Sequence, residues 1–143
     1  MKQIVFQQQT LKKNCASACI SMILGRPIEE VTGEFHERYM ADEITVHEYL
    51  EKYGVQAAPM DITDKPTQGF VYFIGVPSLN IKGCSHYVLG DFRNKEDGFV
   101  LIDPNKGRKG KEWYVNYSEG AELSTGEFNV ITCNYDYRLT LPA

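Results

Sequence analysis

The hydrophobic period of this chain changes once, at Pro59, and that change limits the folds open to it. Before it the pattern is helical. Residues 15–24 are small and apolar and stop at Gly25; a short helix is predicted over 27–33, with Pro27 in its first turn; and 46–53 stops at Gly54. Thr45 is placed to cap the last helix, with Glu48 completing a capping box. After Pro59 the pattern is strand-like: FVYFIGV at 70–76, SHYVLGDF at 85–92, GFVLIDP at 98–104 and FNVITCNY at 128–135. A short helix is expected around 111–117. The turn-rich RNKEDG between the second and third strands signals a hairpin. Helices first and an antiparallel sheet second predict an α+β chain, with N-terminal helices packed on a C-terminal sheet in one domain over residues 1–143.

Charge and cysteine usage narrow the functions. A formal net charge of -4 argues against nucleic acid or an anionic membrane as partner, since both reward clustered Lys and Arg. The basic run KGRKGK at 106–111 alternates with glycine and reads as a solvated loop. No stretch approaches the ~20 apolar residues of a membrane span. The amino end has no apolar segment of secretory length, so the expectation is a cytoplasmic protein whose four cysteines are reduced.

Each cysteine is then a candidate nucleophile, ligand or core residue. A thiol attacks as its thiolate, which the open N–H groups of a helix's first turn favour. Cys15 sits there, behind Asn14 as a predicted N-cap. A cysteine nucleophile needs a base, usually histidine, held by a third polar group. His36 and His47 lie in polar helical surroundings, whereas His86 opens an apolar strand and is the best base. Across the hairpin, Asp103 ends the run VLIDP. With the turn centred near Lys95 and Glu96, Asp103 falls opposite Val88, two residues from His86. The last requirement is a donor to the oxyanion formed on attack. A glutamine shortly before the cysteine, with the backbone N–H at the helix start, would supply it.

A glutamine six residues before a cysteine at a helix start, a glycine-flanked HYVL strand and the ending VLIDPNKG together resemble the papain-like cysteine peptidases. Among these, the chain looks most like the leader peptidases that cut behind double-glycine motifs, including peptidase domains of bacteriocin-exporting transporters. The resemblance implies a papain-like fold, Cys15 as nucleophile, His86 as general base, Asp103 as orienting carboxylate and Gln9 as oxyanion donor, with Gln8 the alternative. It implies a peptide or protein substrate and hydrolysis of a peptide or isopeptide bond, with deamidation or transfer to an amine open to the same groups. No cofactor is needed.

Other readings stand beside this one. The fold could serve as an inactive module that holds a leader peptide or partner protein. Cys19, one turn beyond Cys15, reads as a small core residue. Cys84, two residues from His86 and expected on its strand face, could join His86, Cys15 and Cys19 around zinc, but the spacing is unlike paired-knuckle patterns. Trp113 and the tyrosines at 114, 117, 135 and 137 read as core and rim packing. Loops 59–69 and 104–112 are expected to frame the groove.

Overall fold

The computed structural model describes residues 3–94 and 98–141. The protein is a mixed α+β structure, with helices first and a largely antiparallel sheet after them. Helix α1 spans Cys15–Leu24, and Gly25 closes it in a left-handed conformation (φ 67°) that a side chain would strain. Helices α2 (Ile28–Val31) and α3 (Glu37–Met40) are joined by a π-helical turn over Thr32–His36 into one helical run. The short helix expected to stop at Gly33 therefore continues beyond it. A glycine inside a helix costs about 1 kcal/mol relative to alanine, whereas full burial of Phe35 stabilises by about 1.5–3 kcal/mol. Packing outweighs propensity there. Helix α4 (Val46–Lys52) carries the expected capping box of Thr45 and Glu48.

The main sheet has the order β1-β7-β2-β3-β4, from β1 (Gln56–Pro59), β2 (Val71–Pro77), β3 (Ser85–Asp91), β4 (Val100–Ile102) and β7 (Asn134–Thr140). All its pairings are antiparallel. Strands β5 (Trp113–Val115) and β6 (Glu127–Asn129) form a separate parallel pair. Two sequence expectations give way here. Residues 111–117 hold a strand, not a helix, and 128–135 is broken, because β6 ends at Asn129 and β7 starts at Asn134.

Alternation along the central strands splits the core between the two sheet faces. Val71 and Phe73 of β2 and Leu89 of β3 pack under the helices with Cys19, Ile20, Phe35 and Leu50. Tyr72, Ile74 and Val88 pack on the opposite face with Phe92 and Tyr114. The β3–β4 register pairs Leu89 with Ile102, which leaves Asp103 one step past the ladder, opposite Val88 as the hairpin predicts. The expected turn centre, Lys95 and Glu96, lies outside the described residues. Among the described residues no helix is long and apolar enough to cross a membrane.

Candidate active site

Three segments far apart in sequence meet at one cavity of about 270 Å³, whose lining includes Gln9, Cys15 and His86. The first segment is the start of α1. Asn14 occupies the N-cap position, but its side chain does not cap the helix. Instead its Oδ1 accepts from Leu11 N (2.8 Å), and its Nδ2 donates to Thr10 Oγ1 (3.0 Å) and Thr32 Oγ1 (3.2 Å). The expected cap is thus a brace between the preceding loop and the π-helical turn. Among the described residues nothing accepts from the Cys15 N–H, which stays available at the cavity. One turn on, the fully buried Cys19 donates its Sγ–H to Tyr87 O (3.5 Å), fixing α1 against β3 beside His86. Burial pushes the Cys19 thiol up, so it is a core residue as expected.

The second segment is β3, which carries the buried His86. Its Nε2–H donates to Asp103 Oδ1 at 2.7 Å, and the ring shares the cavity lining with Cys15. Burial works against a charged ring, but Asp103 and the neighbouring Cys15 outweigh it and push the imidazole up to about 9. His36 and His47 lie on the helical segments, half-buried, and do not line this cavity.

The third segment follows β4. Asp103 is 2% exposed, and both carboxylate oxygens are used: Oδ1 by His86 and by Asn105 N (2.9 Å), Oδ2 by Tyr114 N (2.8 Å). Tyr114 is itself held by its hydroxyl, which donates to Pro77 O (2.7 Å). This support comes from β5, where the pattern at 111–117 predicts a helix; the three-residue apolar run WYV is the sequence signal for it.

Of the two glutamine candidates, the structure brings Gln9 to the site and not Gln8. Gln9 is 3% exposed and lines the cavity, and its backbone N–H donates to Pro104 O at 2.8 Å. Gln8 is exposed and donates from Nε2 to Lys106 O (3.0 Å). The amide of Gln9 is not yet aimed as a free donor: Nε2 donates to Leu11 O (2.8 Å) and Lys12 O (3.2 Å), while its buried Oε1 has no partner among the described residues.

The cavity lining also includes Tyr39, Met40, Ile81 and Tyr87. Burial raises both phenols. Of the two loops expected to frame the groove, 104–112 does so through Asn105, Arg108 and Lys111, whereas 59–69 contributes nothing and residues 78–85 take its place. Cys84 belongs to that loop rather than to the strand, and it is exposed. Among the described residues no cluster of His, Cys, Asp or Glu could hold a metal ion, and all four cysteines are free of disulfides.

No family model, no curated protein and no solved structure matches this chain.

Proposed function

We propose that the chain is a papain-like cysteine peptidase, hydrolysing a peptide or isopeptide bond through Cys15, His86 and Asp103. The observation that carries this reading is the buried His86, hydrogen-bonded to Asp103 and lining one cavity with Cys15 at the mouth of a helix. In the proposed cycle Cys15 gives its proton to His86 and attacks the acyl carbon as thiolate. The oxyanion is held by the Cys15 N–H and by Gln9, whose longer bond, to Lys12 O, is the one to yield. His86 then protonates the leaving amine, and water, activated by the now neutral imidazole, releases the acyl group. Free cysteines suit a reducing compartment such as the cytoplasm.

Site-resolved alkylation by iodoacetamide across about pH 5 to 9, read by mass spectrometry, tests the pair. Cys84 is more exposed than Cys15, so access alone predicts that Cys84 reacts faster. The expected result is fast reaction at Cys15, slowed in His86→Ala. Reaction of Cys15 no faster than Cys84, and unchanged by the substitution, overturns the proposal. One observation favours a second reading: with both Gln9 amide hydrogens facing loop carbonyls, the same groove would serve as an inactive module holding a leader peptide or partner protein.

A further inference from the structure

The charges around the cavity are sorted in a way the whole chain is not. The protein has more acidic than basic residues, 19 against 15. Yet Lys12, Lys13, Arg108 and Lys111 line the cavity, and no Asp or Glu does. Among the described residues none of these four forms an ion pair with a carboxylate.

The cations come from two segments that local structure fixes in place. Lys12 and Lys13 precede α1 in the loop held by Gln9 and Asn14. Arg108 and Lys111 sit on the loop after Asp103, which folds through the turns Arg108 N to Asn105 O (3.0 Å) and Lys111 N to Arg108 O (3.1 Å). That loop is bound to the amino-terminal segment through Gln8 and Gln9, and to the opposite rim by a reciprocal pair between Asn80 and the backbone of Glu112, at 2.9 Å each way. A concave site ringed by one sign of charge concentrates its field and raises the local concentration of the opposite sign.

We propose that this cavity selects an acidic polypeptide segment, whose Asp and Glu side chains face the four cations while the scissile bond lies at Cys15. The inference rests on reading the cavity as the site of peptide hydrolysis. A polypeptide suits the site better than a nucleic acid because only four cations line the mouth, on a chain of net charge -4. The apolar wall of Met40 and Ile81 also accommodates side chains rather than a phosphate backbone.

The test separates binding from cleavage. Full-length Cys15→Ala protein is titrated by fluorescence anisotropy with three labelled peptide libraries of equal length, identical except for fixed positions carrying Asp/Glu, Ser/Gln or Lys/Arg. The acidic library is expected to bind at least about tenfold tighter than the neutral one at low salt. That preference should shrink towards ~0.15 M salt and vanish in Lys12→Gln/Lys13→Gln/Lys111→Gln. Equal or undetectable binding of the three libraries overturns the inference, and so does displacement of the acidic library by a single-stranded oligonucleotide at lower concentration than by unlabelled acidic peptide. Mass spectrometry of the libraries after exposure to wild-type protein reads hydrolysis separately. Cleavage without charge preference removes the inference and leaves the peptidase, whereas acidic binding without cleavage removes the peptidase and leaves an acidic-segment binder.

Discussion

The two halves of the site are built to different standards. On the sheet side, His86 and Asp103 are buried, and each Asp103 oxygen is spoken for by the ring or a backbone N–H. On the helix side, Cys15 is half-buried, Gln9 keeps an orphan buried oxygen, and two exposed lysines flank the loop. A fully satisfied polar network holds one arrangement, while a partly satisfied one can rearrange at small cost. The sheet side is therefore suited to orienting a proton carrier, and the helix side to adjusting around a substrate.

The largest test of this contrast is Cys15→Ser, expected to lower peptide kcat/KM by at least about 10³-fold while leaving the urea midpoint nearly unchanged. Loss of stability with retained turnover would break the assignment. Asp103→Asn should reduce kcat by at least about 10²-fold and also destabilise the fold, because it acts on the rigid half. It should move the His86 titration, followed by NMR, downward from about 9. An unmoved titration would show that the carboxylate does not govern the ring.

Gln9→Ala should lower kcat by about 10²-fold yet leave Cys15 alkylation near the wild-type rate, since it removes an oxyanion donor and not the thiol's partner. Slowed alkylation would place Gln9 in the orienting half instead. Asn14→Ala deletes three hydrogen bonds of a fully buried side chain and should cost about 1–3 kcal/mol in urea unfolding, without shifting the His86 titration. The smallest effect is a pH dependence. The folded-state value of His86 is raised above its unfolded value of ~6.5, so its contribution to stability is full below ~6.5 and is lost as pH rises through about 9. Chemical unfolding across that window should show the decline in wild type and a flatter profile in His86→Ala.

Legibility in the sequence followed the range of the interactions. Helix α1 was readable because an apolar run met Gly25, and the β3–β4 register because the hairpin turn and Pro104 bracket Asp103. These are signals within a few residues. Strand β5 is not legible in the same way, because it pairs in parallel with β6 across an intervening loop, and nothing near KEWYVNY announces that partner. Gly33 reads locally as a stop, and only the buried Phe35 carries the helix past it. KGRKGK is a loop, as composition suggests, but its approach to the cavity depends on Gln8 and Gln9. Asn14 was placed at the right position with the wrong partners, because Thr32 is distant in sequence.

The bonds that draw the site together join distant parts of the chain: Cys19 to Tyr87 across 68 residues and Gln8 to Lys106 across 98. Closing such long loops is slow relative to forming helices, so α1 can be in place well before the sheet presents His86 to it. On the proposed reading, a partly folded chain would carry Cys15 without His86, its base. Activation of Cys15 is then a clock for the last step of folding, and pulse-alkylation during refolding would read the moment at which the two ends of the molecule close on each other.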